Sequence, residues 1–175
     1  MKVTYISHSG FLIETKNCLF LFDYYEGKIP PLSQEKPLFI FVSHWHSDHF
    51  NPEIFSIRHE KVHYILSHDT RKHLPAGISP ENLCFMKPEE KLDFTLEDGN
   101  EHFTVETLKS TDCGVAFLIY YRRKYLYHAG DLNWWVWQGE TKQYNSNMTA
   151  NFLHYTKPLE NLDIWAAFLP LDPRQ

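Results

Sequence analysis

The sequence predicts a mixed α/β (α+β) fold in a single domain spanning residues 1–175, on three observations. Its uninterrupted apolar runs, such as Cys18–Phe22 and Leu38–Val42, have the length of strands. A strand, helix, strand, helix order runs from Leu38 to Leu74, which suggests a mixed sheet with helices on its outside. Two hairpin patterns then dominate the second half. A chain of 175 residues is long enough for a real core, and 43% hydrophobic with 16% aromatic residues argues against disorder.

The elements follow in order. Val3–Ile6, Phe11–Glu14 and Cys18–Phe22 read as short strands, with turn chemistry at Ser9-Gly10 and Lys16-Asn17. A loop containing Gly27, Pro30, Pro31 and Pro37 leads to Leu38–Val42, a near-continuous apolar run that suits a strand buried on both faces. Asn51-Pro52-Glu53 reads as a helix start, because Asn caps well, Pro is tolerated at the first position and an early Glu suits the helix dipole. Val62–Leu66 reads as a strand and His68–Leu74 as a short helix closed by Pro75. Lys91–Leu96 and His102–Leu108 flank the turn signal Glu97-Asp98-Gly99-Asn100, and Val115–Tyr121 with Lys124–His128 form a second hairpin. Asn147–Tyr155 reads as a helix and Ile164–Leu169 as a last strand.

Composition excludes several classes. No apolar run approaches the roughly 20 residues needed to cross a bilayer, so no membrane partner is expected. The N-terminus shows no signal-peptide pattern, which makes a cytoplasmic location the expectation. The formal net charge is −5 with histidines neutral, and the densest basic patch, Arg122-Arg123-Lys124, sits in a hairpin turn. A nucleic-acid partner, which needs a basic stripe, is disfavoured. Cys18, Cys84 and Cys113 are scattered and form no C-x-x-C pair, which argues against a disulfide framework and a cysteine-rich zinc knuckle. Eleven histidines, by contrast, are many for this length, and histidine is a frequent metal ligand.

Their placement carries the chemistry. His44-Trp45-His46-Ser47-Asp48-His49 packs four metal-ligand side chains into six residues, directly after the buried strand ending at Val42. In an extended loop His44 and His46 project to one side. A turn at Ser47 then lets Asp48 and His49 face a second position, so that one loop serves two metals. Imidazole and carboxylate suit Zn, Mn, Fe or Ni. The alternative is a chance cluster on a surface loop.

This H-x-H-x-D-H segment after an apolar strand resembles the metallo-β-lactamase superfamily. Ile6-Ser7-His8-Ser9-Gly10-Phe11-Leu12-Ile13 and the strand ending Phe22-Asp23 resemble its ascorbate-6-phosphate lactonase-like branch, and His128-Ala129-Gly130-Asp131 resembles a later G-D motif. The resemblance implies a four-layer αββα sandwich and a hydrolase with one or two divalent metals, Zn first, with Mn or Fe as alternatives. It assigns His44 and His46 to one metal, Asp48 and His49 to a second, and Asp131 as the bridge. Asp23 resembles a carboxylate that orients a ligand imidazole, although a turn aspartate fits as well. His8 reads better as a structural histidine.

The pattern departs from the family twice. A third histidine for the first metal is expected where Ser110-Thr111-Asp112-Cys113-Gly114 stands, and Asp112 either replaces it or forms an Asx turn. A further strand and a last histidine for the second metal are expected beyond Leu171–Gln175, so the sandwich is expected to be incomplete there, with an exposed edge that leaves a homo-oligomer open. Trp134, Trp135 and Trp137 either wall a substrate pocket or pack beneath a helix. The leading functional expectation is hydrolysis of an ester, lactone or phosphodiester in a small polar molecule, with Asp48 or Asp131 handling the proton. The alternatives are an RNA-processing nuclease of the same fold and a catalytically silent metal-binding protein.

Overall fold

The computed structural model describes residues 1–78, 82–96, 99 and 101–172, and places two sheets face to face. The first contains β1 (Lys2–Ser7), β2 (Gly10–Glu14), β3 (Leu19–Phe22), β4 (Leu38–Val42), β5 (Val62–Ser67) and β6 (Leu83–Met86), hydrogen-bonded in that order. β1 with β2 and β2 with β3 pair antiparallel, and β3 to β6 run parallel. The second contains β7 (Lys91–Thr95), β8 (His102–Lys109), β9 (Val115–Tyr121), β10 (Lys124–His128) and β11 (Ile164–Phe168), in the order β11-β10-β9-β8-β7, with only β10 and β11 parallel.

Side-chain alternation in β3 and β4 explains the layering. Every residue of both strands is buried, so polarity does not distinguish their faces. Shape does: Phe20, Phe22, Phe39 and Phe41 point between the sheets, while Leu19, Leu21, Leu38, Ile40 and Val42 point outward. The inward rings meet the second sheet edge to face, with Phe20 centred 5.2 Å from Phe103 and 5.9 Å from Tyr121, and Phe41 5.2 Å from Phe117. The outward aliphatics are covered by Ile54, Phe55, Ile29 and Leu32. On the far side, Leu108, Ala116, Leu118 and Tyr127 of the second sheet pack against Phe152 and Tyr155 of α1 (Lys142–Thr156). The expected four-layer order holds, with one outer layer reduced to short turns of helix.

Both helices expected on this side are present, in a tighter form. The segments at Asn51 and at His68–Leu74 form 3-10 helices, Pro52–Ser56 and His68–His73, not α-helices. Asn51 caps as expected, its Oδ1 accepting from Glu53 N at 2.9 Å, but a run of five residues is too short to repay an α-helical nucleus. α1 begins earlier than expected because Thr141 Oγ1 accepts from Tyr144 N at 3.1 Å and starts the helix at Lys142. β6 is a strand that the pattern did not announce. The hairpin between β7 and β8 pairs Thr95 with His102; Glu97, Asp98 and Asn100 of its turn, and residues 173–175, lie outside the described residues.

Phe20 is fully buried and meets two rings of the second sheet, Phe103 and Tyr121, as well as Phe39 and Phe41 of its own. Phe20→Ala is expected to cost about 3–5 kcal/mol, seen as a lower urea midpoint at unchanged slope.

Candidate metal centre

Five segments converge at one edge of the sandwich: the β1–β2 turn with His8, the end of β3 with Asp23, the loop after β4 with His44 to His49, the β8–β9 loop with Asp112 and Cys113, and the loop after β10 with Asp131. Ser43 ties the two sheets together at this point. Val115 N donates to Ser43 O at 2.9 Å. Gly114, at φ +65°, brings its backbone so close that a Cβ there would lie 2.0 Å from Ser43 O. Gly130, at φ +52°, leaves a Cβ only 2.6 Å from Ser43 Cβ. Only glycine satisfies both the left-handed backbone and the space at these positions.

Asp23 is fully buried and organises the histidines. Its Oδ1 accepts from Ser43 N at 2.7 Å, and its Oδ2 accepts from Ser43 Oγ at 2.6 Å, His49 Nδ1 at 2.8 Å and His128 Nε2 at 2.8 Å. Burial alone would raise the Asp23 pKa, but His128 and His49 outweigh it and hold the carboxyl well below its ordinary range. An ionised carboxylate only accepts, so the proton arrangement follows. His49 carries its proton on Nδ1. The Ser43 hydroxyl donates to Asp23, so Ser43 Oγ accepts from His44 Nδ1 at 3.0 Å. In the neutral rings, both Nε2 atoms are therefore left with bare lone pairs. His44 Nε2 and His49 Nε2 are buried and have no hydrogen-bond partner.

These two nitrogens face the two oxygens of one carboxylate. His44 Nε2 lies 3.5 Å from Asp131 Oδ2, and His49 Nε2 lies 3.3 Å from Asp131 Oδ1. Two ligands on a tetrahedral zinc at bond lengths near 2.0–2.2 Å stand roughly 3.3–3.6 Å apart, so the spacing matches a carboxylate between two cation positions. Two buried acceptors left unpaired would cost about 1–3 kcal/mol each, and a divalent cation is the partner that fits the donor set. His44, His46 and Asp131 form one candidate ligand group, with ligand atoms within 4.8 Å of one another. Asp48 and His49 belong to a second, with Oδ2 and Nε2 4.0 Å apart.

Burial and His49 hold the pKa of His44 below its usual value, which keeps its lone pair available. Burial also disfavours the His49 imidazolium, but Asp131 and Asp23 outweigh it and raise that pKa to about 10. A cation would take the place of that proton. The Asp131 pKa is pushed up by burial and down more strongly by His49, leaving it lowered.

Asp112 is exposed and forms a third group with His46 and Cys113, whose Sγ lies 3.9 Å from His46 Nε2. No Asx turn forms there; Asp112 N donates to Ser110 Oγ at 3.1 Å. Ser43 was not singled out in the sequence, and His128 and Cys113 entered it only as neighbours of Asp131 and Asp112 in their motifs. His128 marks the end of β10 and is sandwiched by rings, stacked 4.9 Å from Phe22. The three tryptophans divide. Trp135 lines a cleft of about 730 Å³ that also presents Tyr5, Phe11, Asp48 and Asp131. Trp137 stacks on Trp135 at 6.0 Å, and Trp134 donates from Nε1 to Thr149 of α1 at 2.8 Å.

No family model matches the chain. A UPF0173 metal-dependent hydrolase of Opitutus terrae is 29% identical over 146 residues, which cover 75% of this chain and 63% of that protein. The chain thus spans under two thirds of the length of this relative. Among solved structures, Igni18, a metallo hydrolase of the archaeon Ignicoccus hospitalis, superposes at a TM-score of 0.52 with 17% identity over 73% of this chain and 59% of its own. A protein of Parabacteroides distasonis assigned to the metal-dependent hydrolases reaches 0.54 at 14% identity over 96% and 93%. The chemotaxis sensor ODP, in its peroxy diiron form, reaches 0.55 at 15% identity over 92% and 78%. The chain shares its fold with these proteins.

Two substitutions test the scaffold of the site. Asp23→Asn, measured in a chelator, is expected to cost about 3–5 kcal/mol at neutral pH through loss of a buried charge partner, and to weaken zinc binding about 10–100-fold in a competition titration. Because the folded Asp23 pKa is depressed, its contribution is complete above the unfolded value near 4 and is lost as pH falls below it. The stability gap between wild type and variant therefore narrows in acid. Gly114→Ala combines a left-handed backbone with a clash against Ser43 O. It is expected to destabilise the fold by more than the roughly 1–3 kcal/mol of backbone strain alone, seen as a lower thermal midpoint.

Proposed function

We propose that this chain forms the divalent-metal site of a hydrolase that cleaves an ester, lactone or phosphodiester bond in a small molecule. The observation that carries the reading is the pair of buried, bare imidazole nitrogens, His44 Nε2 and His49 Nε2, facing opposite oxygens of Asp131. His44, His46 and Asp131 would hold one ion, and Asp48, His49 and Asp131 a second. Asp112 is a further ligand candidate beside His46. Zinc is the first candidate for an imidazole and carboxylate set, with Mn or Fe as alternatives. When bound, such ions lower the pKa of water toward neutrality and polarise the scissile bond.

The chain's own groups supply the remainder. Asp131 stays ionised because His49 lies against it, so it presents negative charge to both positions. Asp48 is partly solvent-accessible and lines the cleft, where it accepts the proton of the attacking water and returns it to the leaving group. Tyr5, Phe11 and Trp135 give the cleft an aromatic wall suited to a flat or apolar substituent next to the reacting bond. The sequence likeness to the lactonase-like branch makes lactones the first substrates to try.

The test is a panel of lactones, aryl esters and bis-aryl phosphodiesters, with Zn or Mn added. Turnover is expected to require metal and to fall by more than about a hundredfold in His46→Ala, beyond the effect typical of residues that only orient a ligand. Cleavage of RNA in place of these substrates would favour a nuclease. A metal-loaded protein inert on every panel would favour a silent metal-binding role.

A further inference from the structure

We infer that His8 is a metal ligand, supplying a fourth protein contact to the second cation position from the N-terminal hairpin. This rests on the reading of Asp48, His49 and Asp131 as a metal site. His8 Nε2 lies 3.7 Å from Asp48 Oδ2, and its ring centroid is 5.4 Å from that of His49 at an edge-to-face angle of 82°. The ligand atoms of His8, Asp48 and His49 lie within 4.8 Å of one another. These separations are within a few tenths of an ångström to about 1 Å of those on a four-coordinate zinc. Half-exposed His8 can close that gap by rotation, while buried His49 stays fixed.

Three independent features of the chain aim His8 at this point. The pairing of β1 with β2 shifts register between Tyr5 and Ser7, an irregularity of the kind that re-aims side chains beside sites. His8 itself has φ 50°, a left-handed conformation that a non-glycine residue rarely adopts. Ser9 Oγ lies 3.2 Å from His8 Nδ1, so the tautomer that donates from Nδ1 to Ser9 turns the Nε2 lone pair toward Asp48. Ser43 treats His44 the same way, and Asp23 treats His49 the same way. The orphaned Nε2 of His49 supplies the buried anchor that an exposed histidine and carboxylate lack by themselves.

In this arrangement the second position has imidazoles from both sides of the cleft, His8 from the first hairpin and His49 from the loop after β4, with Asp48 and the bridging Asp131 between them. His8 also lines the cleft, so it would bring the second ion to the substrate side of the site.

The experiment counts metal on the whole chain. Wild type, His8→Asn and His8→Gly are loaded with zinc, desalted and assayed by elemental analysis, with circular dichroism to verify folding. Both substitutions suit a left-handed turn, so loss of metal would not reflect a broken hairpin. Wild type is expected to hold about two equivalents and both variants about one. Loading with Mn(II) should show an exchange-coupled electron paramagnetic resonance signal in wild type and an uncoupled one in the variants. Equal metal content in wild type and variants, at about one or about two equivalents, overturns the assignment of His8 and leaves the first site standing. No metal on wild type overturns this inference together with the proposed function.

Discussion

The site depends on one buried carboxylate. Asp23 is removed from water and accepts four hydrogen bonds, and this arrangement is stable only because two of the donors are imidazoles that sustain its charge. Its charge in turn dictates the proton positions around it. His49 donates to it directly, and His44 is linked through the Ser43 hydroxyl, so both rings turn the same nitrogen toward Asp131. A ligand histidine is useful only in the correct tautomer. Here one aspartate fixes two of them, and the second does not touch it.

That network could not sit in a flexible loop. Its precision comes from the sandwich, which places the ends of β3, β4 and β10 at one edge and locks Ser43 between them through Gly114 and Gly130. The phenylalanines between the sheets fix the separation, because rings meeting edge to face resist sliding more than aliphatics do. Core and site are thus one construction: the strand that sends Phe39 and Phe41 into the core is followed directly by Ser43, which holds His44 in its tautomer.

Much of this was legible in the sequence. β4 and β9 match their expected bounds because continuous apolar runs have sharp ends, and the H-x-H-x-D-H segment stood out because ligand residue types were crowded into one connection. What was hidden depends on contacts between distant segments. Asp23 resembled a carboxylate that orients a ligand imidazole, but its hydrogen bond to His128, 105 positions away, exists only in the fold, and His128 alone reads as a strand-end residue. Cys113 showed no partner within reach in the sequence. His8 looked structural because its neighbours along the chain, Ser7 and Ser9, carry no ligand pattern; Asp48 and His49 come to it only through the fold. The short helices were over-read because good capping residues mark where a helix can start but not how long it can continue.

The candidate ligands of the two cation positions are unequally buried, and this has physical consequences. His44 and His49 are both fully buried, and Asp131 is mostly covered, so these ligands are held before any ion arrives. His46, Asp48, His8 and Asp112 are partly or largely exposed, and ordering them costs side-chain entropy on binding. Each position therefore combines one rigid imidazole and one oxygen of Asp131 with mobile groups at the cleft. The rigid half sets where an ion can sit. The mobile half can yield as a substrate enters, because it faces the same cleft as Trp135 and Tyr5. A site built with all its ligands buried would hold ions more firmly but leave no coordination position open to a reacting group. Here the division between buried and exposed ligands follows the division between what must be fixed and what must be reached.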